Sequence, residues 1–336
     1  MLASGSSFPT EPDRDFAPSA GTVALTGASG FVGRHLVRSL LDSNVAAVRQ
    51  LVHRSDPALS SSGTAGQLFR GSLLEPASLT GFVQPGDTVV NLAFLAGGSP
   101  EENLRCAESL ADACIAGRAG RLIHCSTAVV TGHCDERVIR EETPCQPCTP
   151  YEQVKLEIEQ VLQEKCSGLM PVEILRPTAV FGPGGRNLIK LANEVCHGGQ
   201  LVNYLRESVH GSRRMNAVGI ENVVAALLFL IQQPAGAEGS INIISDDEYP
   251  ENNYLEIAEY FASRFGQRHR SFPRLPVPGS LLTALLRLAG RPGYSPQRVW
   301  DCSHLLNRGF RKPATFQQSL ASFADWFEQA ERKRAA

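Results

Sequence analysis

Two side chains suited to acid–base chemistry, Tyr151 and Lys155, lie four positions apart in a segment with helical periodicity. Residues at this spacing share one face of a helix, so the phenol and the amine are expected to lie side by side. A neighbouring ammonium favours the phenolate and is expected to lower the pKa of Tyr151, which would make the phenol usable in proton transfer. The alternative is that the two are unrelated surface residues.

Two hydroxyls, Ser126 and Thr127, end the apolar run Arg121–Ser126. That run predicts a buried strand, and its carboxyl end would present both hydroxyls to a site beyond the sheet. Either could hydrogen-bond the substrate oxygen that the Tyr151 phenol protonates. The alternative is that both only cap the end of the strand.

A glycine-rich turn, Thr26-Gly27-Ala28-Ser29-Gly30-Phe31-Val32-Gly33, joins an apolar run to a helical one. The run Thr22–Leu25 predicts a buried strand, and Phe31–Leu41 carries apolar residues at helical spacing. Glycines at such a corner permit a tight turn and let a pyrophosphate approach the main chain. The helix N-terminus would add N–H groups and a positive dipole end, so this turn predicts a dinucleotide phosphate site.

Strand-like and helical runs alternate over the first two-thirds of the chain. The predicted strands are 22–25, 45–52, 67–70, 88–93, 121–126 and 172–176, and the helices between them include 31–41, 101–116 and 151–165. Such alternation is typical of a parallel sheet with helices on both faces. The predicted fold is therefore α/β, a Rossmann-type doubly wound parallel sheet with a smaller, partly helical C-terminal substrate lobe.

The domain organisation follows from changes in composition. Residues 1–20 lack an apolar run and predict a disordered N-terminal tail rather than a secretory signal. Residues 21–180 predict the dinucleotide-binding domain. Residues 181–336 predict mainly the substrate lobe, with helices at Leu281–Leu288 and Gln317–Ala330, while segments such as Ser240–Ile244 return to the main sheet.

Composition excludes several classes of protein. A formal charge of −2 gives no electrostatic reason to expect nucleic acid or an anionic membrane as a partner. No apolar stretch approaches the roughly 20 residues that span a bilayer. Nine cysteines, an odd number, do not indicate a disulfide framework, and Cys145-x-x-Cys148 lacks the second pair that a metal site needs. Reduced thiols in a cytoplasmic protein are expected.

Taken in order, these motifs resemble the extended short-chain dehydrogenases/reductases, in the NAD-dependent epimerase/dehydratase branch that acts on nucleotide sugars. The matching pieces are the glycine turn, Asn91-Leu92-Ala93, Ser126-Thr127, Tyr151-x-x-x-Lys155, Leu175-Arg176-Pro177 with Phe181-Gly182-Pro183, and Val218–Val223. The resemblance covers roughly residues 22–326. It implies this α/β fold, an oxidoreductase or epimerase activity, and a nicotinamide cofactor.

Site residues follow from the resemblance by position. It implies catalytic roles for Tyr151 and Lys155, for Thr127 by counting back from Gly132, and for Ser126 beside it. It implies that the cofactor contacts Gly27, Ser29, Gly30, Phe31, Val32, Gly33, His53, Arg54, Ser72, Leu73, Leu92, Ala93, Tyr151, Lys155 and Pro177. It implies that a nucleotide-sugar diphosphate meets Asn187, Leu188, Arg213 and Arg214. It implies no metal, and it leaves room for a homodimer.

Three departures from the family pattern matter. The Gly-Asp pair expected near the adenine is Gly71-Ser72, and the slot expected for a diphosphate-binding arginine holds Met215. The acidic residue expected after the second strand is replaced by His53-Arg54. A cation there suits a 2′-phosphate, which favours NADP(H) over NAD(H). The alternative is that Arg54 stacks on the adenine while Asp56 serves the ribose.

Three functions remain open at this point. The leading hypothesis is keto-group reduction or C4 epimerisation of a nucleotide-linked sugar. Dehydration is disfavoured because Ala128 and Val129 replace the acidic neighbours that family dehydratases carry beside the hydroxyl. The second hypothesis is reduction of a non-nucleotide ketone or a hydroxysteroid-like alcohol. A cofactor-sensing binding protein is the third, and the presence of both Tyr151 and Lys155 argues against it.

Overall fold

The computed structural model describes residues 21–43, 46–53, 66–132, 134, 136–211, 213–234, 239–267 and 297–335. Three of the sequence predictions lie outside these residues: the N-terminal tail, the role of Arg54 (with its alternative partner Asp56), and the helix at Leu281–Leu288.

A seven-stranded parallel sheet forms the centre of the molecule. Its strands, in chain order, are β1 Val23–Thr26, β2 Val48–Val52, β3 Gln67–Arg70, β4 Thr88–Asn91, β5 Arg121–Cys125, β7 Val172–Pro177 and β10 Ile241–Ile244. Their order across the sheet is β10-β7-β5-β4-β1-β2-β3. The order reverses between β1 and β4, where an open parallel sheet forms its ligand crevice beyond the carboxyl ends of the strands. The predicted α/β doubly wound fold is confirmed.

Helices cover both faces of this sheet. They are α1 Phe31–Ser43, α2 Pro100–Ala116, α3 Pro150–Cys166 and α6 Ile220–Ile231. One apolar core packs α1 and α6 against β1, with Leu36 and Leu40 fully buried. A second core lies on the other face and includes Leu110 of α2 and Leu162 of α3. Full burial of a side chain of this size contributes about 1.5–3 kcal/mol, so these two cores hold the helices that carry the site.

A smaller lobe lies after β7 and has its own aromatic core. Its elements are β8 Ala179–Phe181, α4 Ile189–His197, α5 Gln200–His210, β9 Ala217–Gly219, α7 Tyr254–Arg264 and α9 Phe316–Ala335. Phe181, Phe261, Phe316 and Phe323 are fully buried in its core. The chain returns to the sheet between these elements, because α6 packs on α1 and β10 pairs with β7.

Three further short elements lie within the described residues. Strands β6 Val138–Ile139 and β11 Val299–Trp300 pair in parallel, and α8 Ser303–Asn307 follows β11. Across the described ranges, every helix is too short or too polar to cross a bilayer. Over the same ranges, His, Cys, Asp and Glu side chains form no cluster of three or more that could hold a metal ion.

Candidate active site

The glycine turn between β1 and α1 is built around contacts that exclude side chains. Gly27 has φ +74°, and a Cβ on it would lie 2.6 Å from the carbonyl carbon of Leu92. A Cβ on Gly33 would lie 2.1 Å from the Gly27 carbonyl oxygen. Glycine is therefore required at both positions, one for the positive φ and one for close helix packing. The main chain of the turn is left bare, as a pyrophosphate site needs.

A cavity of about 830 Å³ opens beside this turn. It passes the carboxyl ends of β1, β2 and β4, which is the crevice position expected for a dinucleotide in such a sheet. Eight of the predicted cofactor residues line it, namely Gly27, Ser29, Gly30, His53, Ser72, Leu73, Leu92 and Ala93. The shape and the bare main chain of the turn fit a dinucleotide.

The remaining cofactor predictions have other environments. Phe31 and Val32 begin α1 and pack against the apolar core beneath it. A Cβ on Gly185 would lie 2.7 Å from the Phe31 ring, so the loop after β8 lies directly on the start of α1. His35 reinforces this contact, with its Nε2 3.0 Å from the Pro183 carbonyl oxygen. Pro177 is the buried last residue of β7.

The lining residues that sequence reasoning missed include two polar ones outside the family motifs, Glu75 and Asn103. Glu75 lies on the cavity wall three residues after Ser72, and its backbone N–H donates to the Ser72 carbonyl at 2.9 Å. Glu75 thus supplies a carboxyl group close to Ser72, the position at which the family pattern has an aspartate. Asn103 of α2 also lines the cavity and is bonded in both directions to the backbone of Leu95. Both contacts depend on turns that bring together residues outside the family motifs.

The helix that carries the candidate acid and amine has a fixed start. The Thr149 hydroxyl accepts from the Glu152 N–H, and the Glu152 carboxylate accepts from the Thr149 N–H. This reciprocal cap, with Pro150 at the first helical position, sets the beginning of α3 just before Tyr151. Tyr151 is 47% exposed and opens to solvent, whereas Lys155 is only 3% exposed.

The environment of the Tyr151 phenol contradicts one expectation. Burial raises its pKa, the neighbouring Cys125 thiol raises it further, and a hydrogen bond with the Thr127 hydroxyl lowers it. The net pKa is above the ordinary value, not below it as the spacing with Lys155 suggested. The Phe94 ring packs edge-on against the phenol with centroids 5.3 Å apart. In this state Tyr151 is a protonated phenol at neutral pH.

The two candidate hydroxyls have different surroundings. Thr127 is half-buried, precedes the 3-10 turn Ala128–Thr131, and accepts a long 3.4 Å hydrogen bond from the Val129 N–H. Ser126 is 7% exposed, and its Oγ has no hydrogen-bond partner among the described residues. Thr127 thus lies beside the phenol, while Ser126 is a buried hydroxyl one residue deeper.

These surroundings predict different outcomes for the two hydroxyl variants. Thr127→Val removes the hydroxyl beside the phenol and is expected to reduce turnover by roughly 10²-fold, within the range for a positioned proton-transfer partner. Ser126→Ala is expected to reduce turnover less. Steady-state turnover of both variants at saturating cofactor is the measurement. The opposite ranking would show that Ser126, not Thr127, occupies the catalytic position.

The Lys155 amine is enclosed on several sides. It donates to the Cys125 carbonyl oxygen at 3.0 Å and lies 3.5 Å from His124 Nε2. The Phe94 ring centroid is 5.5 Å away. Burial lowers the pKa of Lys155, although the Cys125 and Glu159 side chains oppose that shift.

A buried ion pair lies one turn beyond Lys155. Arg176 of β7 donates through Nε and Nη2 to both carboxylate oxygens of Glu159, the shortest contact being 2.6 Å. The two side chains are 3% and 1% exposed. A bidentate guanidinium–carboxylate contact forms only in a narrow range of distances and orientations. It therefore fixes the position of α3 on the sheet at the level of the site.

The predicted substrate residues lie at the lobe. The exposed Asn187 donates its amide to the Val180 carbonyl at 2.7 Å. Leu188 has φ +65° and is buried in the lobe core, so only its main chain can face a ligand. Arg214 donates to the carbonyl oxygens of Asp247 and Tyr249. Arg214 therefore holds a loop, and contact of Arg213 or Arg214 with a diphosphate stays a prediction.

The cysteine pair shows no special chemistry. All nine cysteines are free thiols, with Cys145 partly buried and Cys148 exposed. Burial raises the pKa of Cys145, which opposes thiolate formation.

Comparison with known proteins identifies the family. A model of the NAD-dependent epimerase/dehydratase family matches residues 23–243, which is most of the chain. The chain belongs to this family. The protein is an enzyme of the extended short-chain dehydrogenase/reductase class, as the motifs indicated. Enzymes of this family depend on a nicotinamide dinucleotide.

Relatives within the epimerase/dehydratase family are distant. UDP-glucose 4-epimerase of Azospirillum brasilense is 28% identical over 49% of this chain and 51% of its own, so only about half of that protein is matched. The 2-alkyl-3-oxoalkanoate reductase of Stenotrophomonas maltophilia is 29% identical over 67% of this chain and 71% of its own. Sterol demethylase protein B of Methylococcus capsulatus is 25% identical over 92% of this chain and 98% of its own.

Solved structures show the same fold. UDP-glucuronic acid 4-epimerase from Bacillus cereus, solved in complex with NAD, superposes with a TM-score of 0.68. The sequences are 18% identical, and the superposition covers 92% of this chain and 99% of that one.

Proposed function

We propose that this protein is an NAD(P)-dependent oxidoreductase or epimerase of a nucleotide-linked sugar, acting by keto-group reduction or C4 epimerisation. The observation that carries the proposal is the grouping of Thr127, Tyr151 and Lys155 at the carboxyl end of β5 and the first turns of α3, with Tyr151 open to solvent. A half-exposed phenol with a second hydroxyl beside it is suited to hold and protonate the oxygen of a secondary alcohol or ketone.

The roles of the chain's own residues follow from this geometry. When bound, the nicotinamide ring supplies or accepts the hydride at the reacting carbon. Tyr151 donates its phenolic proton to the substrate oxygen in reduction and takes it back in oxidation. Thr127 hydrogen-bonds the same oxygen and fixes its position. Lys155 holds the cofactor ribose and, when protonated, stabilises the phenolate that Tyr151 becomes.

The nucleotide-sugar assignment draws on family and relatives. The Azospirillum relative is a UDP-glucose epimerase, and the Bacillus structure is a UDP-glucuronic acid epimerase. Within this chain, the loop that holds Asn187 contacts the start of α1 at Gly185. This contact lies next to the glycine turn. The residues after Thr127 are the buried Ala128 and the exposed Val129. Because both side chains are apolar, neither supplies the acid–base group that elimination of water would need.

Nucleoside diphosphates test this assignment whichever sugar the substrate carries. UDP, dTDP or GDP is expected to raise the melting temperature of the cofactor complex, because a ligand that binds only the folded state stabilises it. Arg213→Ala is expected to weaken the effective nucleotide roughly tenfold, since a hydrogen bond to a charged group contributes about 1.5–3 kcal/mol. Arg214→Ala is the companion variant, and its melting temperature without ligand is expected to fall.

A second function has its own support. Leu95 and Val129 are exposed apolar side chains near the Tyr151 end of the site, at 36% and 39% exposure, and Phe94 packs on the phenol itself. An apolar rim suits a hydrophobic ketone, and two relatives are named for an oxoalkanoate and a sterol. If no nucleoside diphosphate shifts the melting temperature while a hydrophobic ketone does, this second function replaces the first.

The cofactor preference is a separate prediction. The β2 strand ends at Val52, and His53 lines the cavity where a carboxylate would select an unphosphorylated ribose. We expect NADPH to bind more tightly than NADH, with Arg54 supplying the charge for the 2′-phosphate. Fluorescence titration of both cofactors measures the two dissociation constants. NADH binding tenfold tighter than NADPH, a difference of about 1.4 kcal/mol, would contradict this preference. The comparison is needed because the Bacillus structure was solved with NAD.

A further inference from the structure

The chain directly after Thr127 folds into a tight turn that packs against a neighbouring loop. It passes through the 3-10 turn Ala128–Thr131 and ends at Gly132, which has φ +56°. A Cβ on Gly132 would lie 1.9 Å from the Gln146 carbonyl oxygen, so only glycine fits at this end. We call residues 127–132 the Thr127 turn, because its place determines where the Thr127 hydroxyl lies.

Two side chains from a distant segment hold the Thr127 turn. Arg298 donates from Nη1 to the Gly132 carbonyl oxygen at 3.0 Å and from Nη2 to the Cys134 carbonyl oxygen. Trp300 donates from its indole N–H to the Ala128 carbonyl oxygen at 3.3 Å. Arg298 is only 6% exposed. Because its planar guanidinium reaches both carbonyl oxygens in one orientation, the end of the turn cannot shift without breaking buried hydrogen bonds.

The main chain beside these two residues is bonded to the loop that follows the turn. β11 pairs in parallel with β6, and the Val299 N–H donates to the Arg137 carbonyl oxygen at 2.9 Å. The Asp301 N–H donates to the Ile139 carbonyl oxygen at 2.8 Å. This short ladder fixes the main chain from which the guanidinium and the indole reach the turn.

The opposite side of β11 is anchored in the lobe. Asn216 Nδ2 donates to the Arg298 carbonyl oxygen at 2.7 Å and to Asp247 Oδ2 at 2.8 Å. The same carboxylate oxygen accepts from the Trp300 N–H at 2.8 Å. β11 is therefore held between the Thr127 turn and the lobe that carries the predicted substrate residues, and the place of the turn depends on both.

We propose that Arg298 is a positioning residue for Thr127, holding the Thr127 turn so that its hydroxyl stays beside the Tyr151 phenol. The hydrogen bond that Thr127 accepts from the Val129 N–H is long, at 3.4 Å, so it does little to fix the hydroxyl. A group that must meet a reacting oxygen needs a fixed main chain beneath it. The proposal rests on the proposed function of Thr127 and adds the residue that places it.

The Tyr151 phenol reports the place of the Thr127 hydroxyl without any substrate. The chain has 6 Tyr, so ¹³Cζ-tyrosine labelling of the full-length, cofactor-free protein gives few signals. The signal of Tyr151 is assigned by its loss in Tyr151→Phe. The phenol ¹³Cζ shift responds to a neighbouring hydroxyl, so Thr127→Val gives the displacement that complete loss of this hydroxyl produces.

Arg298→Met is expected to displace the Tyr151 signal in the same direction as Thr127→Val and by at least half as much. When Arg298→Met is added to Thr127→Val, it is expected to cause no further displacement, because the hydroxyl through which Arg298 acts is already absent. A general loosening of the fold would not depend on Thr127 in this way.

Arg121 provides a matched control. It is 4% exposed, and its guanidinium likewise donates to main-chain carbonyl oxygens, those of Leu230, Gln233 and Pro234. It is the first residue of β5, whereas Thr127 follows the other end of that strand. Arg121→Met is expected to lower the melting temperature but to leave the Tyr151 signal at its wild-type position.

A milder variant keeps the test decisive if Arg298→Met does not fold. Trp300→Phe removes only the indole N–H that bonds Ala128, and it is expected to displace the Tyr151 signal in the same direction as Thr127→Val. An unmoved signal in folded Arg298→Met would overturn the proposal. If Arg298→Met does not fold, an unmoved signal in Trp300→Phe does so instead.

Three further results would also overturn the proposal. They are an equal displacement in Arg121→Met, an undiminished effect of Arg298→Met in the Thr127→Val background, and an unmoved Tyr151 signal in Thr127→Val itself. None of these spectra requires turnover. A failure of the clamp therefore leaves the proposed reaction standing, whereas failure of the nucleotide or ketone assays leaves these spectra unchanged.

Discussion

Replacing Tyr151 by Phe is expected to reduce turnover by roughly 10²–10⁴-fold while leaving cofactor affinity nearly unchanged. The substitution removes only the phenolic oxygen, and the ring can keep its edge-on contact with Phe94. Cofactor binding is expected to depend on the glycine turn and the cavity along β1, β2 and β4, and Tyr151 does not line that cavity. Turnover of the substrate found in the ligand screen, together with NAD(P)H fluorescence titration, measures both quantities.

A matched control is available in the lobe. Tyr260→Phe on α7 removes a phenolic oxygen far along the chain from the site and is expected to leave turnover within twofold of wild type. Equal loss in both variants would point to a general effect on the fold. Unchanged turnover in Tyr151→Phe would mean that the proton donor is another group.

The pH dependence of the wild-type reaction follows from the raised pKa of the phenol. Because burial is the main cause of that shift, Tyr151 stays protonated through neutral pH in the cofactor-free enzyme. Reduction, which needs the phenol as an acid, is expected to proceed at neutral pH and to decline as pH rises through the pKa of Tyr151. Oxidation needs the phenolate and is expected to rise over the same interval. Initial rates in both directions, measured from neutral pH to above the ordinary tyrosine pKa of about 10, would check that the reduction rate falls while the oxidation rate rises.

Local sequence spacing predicted the parts of the site that are local in the structure. The glycine turn joins one strand to the next helix, and Tyr151 and Lys155 share one helix, so a few residues of sequence determine each arrangement. The strand and helix alternation predicted the parallel sheet for the same reason, because each βαβ unit is a short-range pattern. The end of β4 was predicted two residues late, since Leu92 and Ala93 leave the sheet to line the cavity.

Contacts between distant segments determine what the sequence could not predict. Position alone predicted Arg214 as a diphosphate ligand, but it could not show that the guanidinium also donates to carbonyl oxygens 33 and 35 residues later in the chain. The phenol pKa was predicted in the wrong direction because spacing suggests a neighbouring charge but not the burial that raises the pKa, and Lys155 is not one of the groups that shift it. His124 carried one usable signal, a histidine inside an otherwise apolar run. Only the paired strands show that it lies between Asn91 and Lys155.

The buried pair of Glu159 on α3 and Arg176 on β7 is expected to make a large contribution to the free energy of unfolding. Removing one partner leaves an uncompensated buried charge, so Arg176→Met or Glu159→Leu should each cost about 3–5 kcal/mol in the free energy of unfolding. The double variant is expected to cost much less than the sum of the two single changes, because no lone charge remains. Urea unfolding of the four proteins measures these free energies.

An exposed ion pair on the same helix separates this effect from ordinary charge removal. Lys165 of α3 contacts Asp112 of α2 at 2.7 Å, nearly the distance of the buried pair, but the two side chains are 33% and 62% exposed. Asp112→Asn is therefore expected to cost no more than about 1 kcal/mol. Additive costs for the Glu159 and Arg176 variants would show that the two side chains do not act as a pair. A double variant that costs much less than the sum would show that the two side chains act as a pair, and burial is what distinguishes this pair from Lys165 and Asp112.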